Sequence, residues 1–289
     1  MQFQKILISA AAVMFLTPLS ANATPFAFST GSPDGLIGMA TRPASAGQFE
    51  IETADDFVLA KHTSIKSSTF TGLMPAGSSV LGVTVEIYRV FPLDSDVNRT
   101  NGAPLFSTSQ VPTRVNSPSD VAFDSRDSAG ATLTFSTNAL SNAFTTGNSV
   151  TPGGIHPMPG QTTGGNGPAT GEEVQFDVTF TNALSLPADH YFFVPQVQLD
   201  TGAFLWLSAP RPITGGTGPF NPDLQAWTRD ASLQPDWLRV GTDIVGGTPY
   251  NATFSLNGNI GVPEPDSLAI FAAALAGLTF LGWPKRKYR

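Results

Sequence analysis

The chain contains no cysteine, which excludes disulfides, thiolate metal ligands and a cysteine nucleophile. Charged residues are only 13% of its 289 positions, about half the usual share. Histidine occurs three times, as His62, His156 and His190. No two of these have His-x-x-x-His spacing, so they read as solvated turn residues rather than metal ligands. A Gly-x-Ser-x-Gly nucleophile elbow is absent. The run Gly164-Gly165-Asn166-Gly167 has no following Lys-Ser/Thr and cradles no phosphate. Between the two termini no long segment repeats its apolar residues at a helical period.

What the chain does have is glycine (28), proline (24) and phenylalanine, with Phe supplying 21 of its 29 aromatic residues. A hydrophobic share of 41% is enough for a sizeable core, and the abundance of turn formers suits an extracellular all-β protein. The net charge of −7 conceals a segregation. Basic residues cluster at the extreme C-terminus, leaving the body between residues 24 and 261 near −10. Such a surface repels phosphate backbones, so nucleic acid is not an expected partner.

Residues 1–23 combine Lys5, a short apolar run and the small residues Ala21 and Ala23 before Thr24. Signal peptidase accepts only short side chains at those two positions, so this is a cleavable secretory leader. At the other end, Leu268 to Trp283 is apolar throughout and as a helix would be about 24 Å long at ~1.5 Å per residue. Lys285, Arg286, Lys287 and Arg289 follow it. By the positive-inside rule that cluster stays cytoplasmic and places residues 24–265 outside, with a membrane helix over about 267–283.

Val262-Pro263-Glu264-Pro265, the apolar helix and the terminal basic cluster occur in that order. The arrangement resembles the PEP-CTERM sorting signal of Gram-negative bacteria. The resemblance covers about the last 28 residues, 262–289. It implies recognition by an exosortase, an integral-membrane cysteine protease that cuts near the Pro-Glu-Pro motif, in bacteria that make exopolysaccharide. Prolines 263 and 265 keep the motif extended and out of helix or sheet, as a processing site requires. Asp266 and Trp283-Pro284 depart from the pattern in detail. The expected partners are therefore signal peptidase, exosortase, the cytoplasmic membrane transiently, and exopolysaccharide.

The body, 24–261, reads as one all-β domain, an antiparallel β-sandwich or jelly roll with long Gly/Pro-rich loops at 144–171 and 210–222, a split into two β domains within 144–171 being the alternative. Val83, Val85 and Ile87 alternate with polar neighbours, as do Val174, Phe176, Val178 and Phe180, the period of half-buried strands. Further strands are expected at 49–51, 57–59, 64–70, 132–135, 191–199, 204–207, 238–240 and 253–256. Pro195 marks an edge or bulge. The segment around residues 53–59 resembles a short stretch of secreted bacterial β-sandwich domains.

No catalytic residue is assigned. Asp94, Asp96 and Asn98 place oxygens at alternate positions, a candidate calcium loop, although Arg99 stands where a helix-loop-helix calcium loop needs Gly. Asp55-Asp56 and Glu172-Glu173 are adjacent carboxylates whose side chains should point to opposite faces of a strand. Trp206, Trp227 and Trp237 are either core anchors or an aromatic glycan-binding surface. Three functions stand open: an exported structural protein of the cell surface or exopolysaccharide matrix, a secreted lectin-like carbohydrate-binding module, and a secreted hydrolase.

Overall fold

A computed structural model of the chain describes residues 23–45, 47–95, 111, 114–155 and 162–261. The leader through Asn22, the tail from Val262, Asp96, Asn98 and His156 lie outside the described residues. Residues 24–261 form one compact unit. Among the described residues no helix is long and apolar enough to cross a membrane.

The unit is all-β and built from two sheets. The larger, ten-stranded sheet contains β1 (Thr24–Ser29), β2 (Ile37–Ala40), β4 (Thr63–Met74), β7 (Leu133–Thr146), β8 (Asn148–Val150) and β9 (Ala169–Leu186). It is completed by β11 (Leu205–Ala209), β12 (Gly215–Gly216), β15 (Asn251–Ala252) and β16 (Phe254–Ile260). Its spatial order is β12-β1-β16-β4-β11-β2-β8, with the long hairpin β7-β9 joined to β4 and with β15 joined to β11. The six-stranded sheet runs β14-β13-β3-β10-β5-β6. Its members are β3 (Ile51–Leu59), β5 (Val80–Arg89), β6 (Asp124–Asp127), β10 (Asp189–Leu199), β13 (Trp227–Asp230) and β14 (Leu238–Arg239). Pairing is antiparallel except for β2 with β8.

Alternation in the sequence becomes the inner faces of the sandwich. Val83, Val85 and Ile87 of one sheet and Val174, Phe176, Val178 and Phe180 of the other are all buried in the main core. Phenylalanine fills that core by stacking. Phe70 lies on Phe176 with ring centroids 4.8 Å apart, and Phe193 lies on Phe254 at 5.0 Å. Pairs of this kind contribute about 0.5–1.5 kcal/mol each beyond the area they bury. Trp206 meets Phe193 and Phe254 edge-on, and its indole N–H donates to Thr253 O at 2.7 Å.

Several local expectations need correction. Phe49 is outside any strand and 46% exposed, with the Arg42 guanidinium over its ring, and β3 begins only at Ile51. After Leu238–Arg239 the chain coils into a π-type turn over Val240–Val245, held by an Arg239–Asp243 ion pair. Both loops contain strand. β8 lies within 144–171 and β12 within 210–222, each pairing at a sheet edge. Pro195 is in a strand that is central at its start and an edge at its end. β3 pairs with β10 only through Phe193, whereas β5 pairs along its whole length. The Pro195 carbonyl instead accepts the Thr41 hydroxyl on the side β3 has left, so the missing N–H costs no ladder bond.

The largest departure concerns the outer face of the six-stranded sheet. An ordinary sandwich leaves that face to solvent, and it is the face of Glu86 and Tyr88, the neighbours with which Val85 and Ile87 alternate. In the structure, Tyr88 is buried with Ala54, Phe192, Val194, Trp227 and Trp237 in a second, smaller core. Segments around Ser117–Ala122 and Leu233–Trp237 close over it. Phe91 N donates to Ser117 O, and Trp237 Nε1 donates to Ser119 O.

Candidate functional site

The buried chemistry of this protein lies on that covered outer face. Glu52 of β3 and Arg229 of β13 are cross-strand partners in register. The Arg229 guanidinium takes both carboxylate oxygens, Nε with Oε2 and Nη2 with Oε1 at 2.9 Å. The Tyr88 hydroxyl donates to Glu52 Oε1 at 2.6 Å and also lies 2.9 Å from Glu86 Oε2. Arg229 Nη2 donates to the same hydroxyl at 3.0 Å, and the guanidinium stacks 4.3 Å from the Trp237 ring. Beside this group, Arg114 pairs with Asp120 and lies 4.3 Å over the Phe91 ring.

The electrostatics follow from burial. Glu86 is pushed up to about 7, first by desolvation and then by the neighbouring Glu52 charge. Tyr88 is raised by the same two causes in the same order. Arg229 is raised overall, its carboxylate partners outweighing the desolvation that would lower it. A phenol has one proton and cannot serve two carboxylates. When Glu86 is protonated its own O–H can donate to the phenol oxygen, which leaves the phenol proton to Glu52.

The adjacent aspartates of β3 do point to opposite faces. Asp55 faces inward and accepts the Ala252 N–H of the opposing sheet at 2.8 Å. Its other oxygen is buried without a partner, and burial, with the Asp56 charge second, raises its carboxyl well above the usual range. Asp56 faces outward, with Oδ2 2.6 Å from His190 Nε2. His190 is therefore a partnered residue of β10 rather than a turn residue, because β10 already begins at Asp189. His62 is exposed and meets the Ser185 hydroxyl at 3.0 Å.

The remaining sequence candidates separate. Asp94 gives both carboxylate oxygens to Arg89; Asp96 and Asn98, its proposed calcium partners, lie outside the described residues. Among the described residues no group of three His, Cys, Asp or Glu is placed to hold a metal. Glu172 and Glu173 are successive residues of β9, opposite Met74 and Leu73. The Gly164–Gly167 run is pinned to β8 by Asn148, whose Nδ2 donates to Gly164 O and whose Oδ1 accepts the Gly167 N–H. Gly165 has φ +85° and a Cβ there would meet the Asn148 side chain, so the glycine is a requirement of this clamp.

Trp206, Trp227 and Trp237 form no glycan-stacking surface. Their exposures are 0%, 2% and 0%, because Trp206 fills the main core and the other two fill the second one. Of the sorting residues, only Ala23 is described, exposed next to the start of β1. Ala21, Val262–Pro265 and the basic cluster at 285–289 fall outside. The Glu52–Tyr88–Glu86–Arg229 network was not among the candidates read from the sequence. One signal was available: a β3 segment that places Glu52, Thr53, Asp55 and Asp56 among core residues, in a body with few arginines to answer them.

No protein-family model, curated protein or solved structure matches the chain.

Proposed function

We propose that this is an exported, non-enzymatic structural protein of the cell surface or exopolysaccharide matrix, delivered by leader cleavage and processed at Val262–Pro265 by an exosortase-type protease. The observation that carries this reading is the order of signals at the two ends, a leader closing at Ala23 and a motif, oily segment and basic stop from Val262.

The folded unit supports it by its limits. Thr24 and Ile260 are cross-strand partners in β1 and β16, so the first and last strands close on each other. Cuts beside Ala23 and within 262–265 would fall outside both strands and leave the sandwich whole. The buried carboxylates also favour a structural role over a hydrolase. Glu52 is 1% exposed, and Arg229 and Tyr88 hold both its oxygens. A general base needs reach to a substrate proton.

Intact-mass analysis of the secreted protein, from cells with and without the exosortase, tests the proposal. Loss of the 262–289 tail only when the protease is present is the expected result. An unchanged C-terminus in both strains overturns it.

A further inference from the structure

An uncovered edge strand presents a row of unpaired N–H and C=O groups that another strand can take. Among the described residues, the edges of this sandwich are blunted with one exception. β12, β14 and β15 have two residues each and β8 has three. β6 has four, of which Asp124, Arg126 and Asp127 are charged. β7 instead runs for 14 residues, Leu133–Thr146, with no charge, proline or glycine. It pairs with β9 alone among the described residues, and Thr134, Ser136, Thr137, Asn138, Ala139 and Leu140 are exposed.

The two halves of β7 differ. Its register with β9 is unbroken from Leu133 opposite Phe180 to Ala139 opposite Val174, and shifts twice between Ala139 and Phe144. The bulged half turns back to the fold, where Phe144 packs against the main core. What stays open is a regular edge over 133–139.

That edge is complementary to itself. An antiparallel two-fold centred on Ser136 sets Ser136 against Ser136 of a second copy, Thr134 against Asn138, Phe135 against Thr137 and Leu133 against Ala139. Paired residues of an antiparallel ladder share a face, so the apolar side chains stay on the core side of both sheets. Each large apolar residue meets a small one, and no charge meets its like. The carboxylate in register with the centre, Asp177, lies one strand in, opposite Ser136. The two Asp177 groups would stand three strand spacings apart, roughly 14 Å, beyond the ~8–10 Å over which salt leaves charges unscreened. A cavity of about 360 Å³ beside the edge has Phe135, Thr137, Ala139, Met74 and Val174 on its wall. Phe135 of the second copy, set against Thr137, enters on that side. The remaining edges are too short or too charged to accept this one, so the pair closes as a dimer and does not propagate.

We propose that two copies of the chain associate by antiparallel pairing of their β7 edges across 133–139, joining the two ten-stranded sheets and seating Phe135 of each copy over the cavity of the other. The interface is small, so association depends on concentration. This inference does not rest on the sorting proposal, and either can fail alone.

Because the chain has no cysteine, single introduced thiols report the register. In the full-length chain held in detergent, mild oxidation of Ser136→Cys should give a disulfide-linked dimer, since directly opposite Cα atoms lie about 4.5–5.5 Å apart. Thr134→Cys and Asn138→Cys should each stay monomeric alone, their thiols being roughly 13 Å out of step, and should cross-link when the two variants are mixed. Association through an apolar terminal segment in a shared micelle would set no such register. Ser136→Lys places like charges opposite each other and should weaken the dimer about fivefold or more by sedimentation velocity, whereas Ser136→Thr should leave it unchanged. Thermal melts establish that each variant is folded. Should Ser136→Lys not fold, the cross-linking pattern decides the question alone. Failure of Ser136→Cys to cross-link, cross-linking of Thr134→Cys alone as readily as Ser136→Cys, an undiminished dimer in folded Ser136→Lys, or growth into higher oligomers overturns the proposal.

Discussion

Arg229 holds Glu52 through two parallel contacts across neighbouring strands, beneath a layer of loop that leaves Glu52 1% and Arg229 4% exposed. Loops cover the outer face of the six-stranded sheet around Tyr88, Trp227 and Trp237, and Glu52 and Arg229 are committed beneath that cover. Charges on β6 and at the end of β5 stay partly exposed. Buried pairs of this kind hold register more reliably than they add net stability.

The pair can be dissected by substitution. Arg229→Met strands a carboxylate beside Glu86 and should destabilise the fold by about 3–5 kcal/mol. Glu52→Gln with Arg229→Met removes both charges and should cost clearly less than the two single changes summed. Urea unfolding midpoints at constant m-value measure each. Strict additivity would show that the two side chains do not act as a unit.

Stability should fall as pH rises. Glu86, pushed up to about 7 from 4.5 by burial and by Glu52, binds a proton more tightly folded than unfolded. Its contribution is therefore complete below about 4.5 and lost as pH passes through about 7, a change of at most about 3 kcal/mol. Asp55 and Asp223 are raised mainly by burial and act in the same direction. The melting temperature should be higher at pH 5 than at pH 8. Glu86→Gln keeps a polar amide near Tyr88, cannot ionise, and should flatten much of that difference. Equal pH slopes in the two proteins would contradict the assignment.

The core was legible in the sequence where one face alone is buried. β5 and β9 alternate by twos, and their inward residues follow directly. The polar strands were not: β6 reads Asp-Ser-Arg-Asp and β13 reads Trp-Thr-Arg-Asp. Neither has an apolar period, and each is a strand because a neighbour supplies its ladder. The Glu52–Arg229 contact joins residues 177 positions apart. Only the pairing of β3 with β13 brings them together, and local pattern carries no trace of it. The tryptophans show the converse. Their residue type fitted both a core and a sugar platform; the facing sheet decided between the two for Trp206, and the loops over the outer face decided for Trp227 and Trp237.

Gly72, the single glycine of β4, should resist replacement. It pairs with Trp206 on one side and Val174 on the other. A Cβ there would lie 2.2 Å from the Phe204 ring and 2.7 Å from Leu205 O. Neither neighbour can retreat easily, since Phe204 is itself packed edge-on against Phe70 and Phe176 and Leu205 O is backbone. Gly72→Ala should therefore cost about 1–3 kcal/mol or more through overpacking. Gly153→Ala, with nothing within 4 Å of the added carbon, is the matched comparison and should be near neutral. Phe204→Leu in the Gly72→Ala background should recover part of the loss, because a smaller side chain vacates the space the methyl needs. Chemical-denaturation curves for the three variants measure this, and a Gly72→Ala protein as stable as Gly153→Ala would show that the β4–β11 contact is looser than its distances imply.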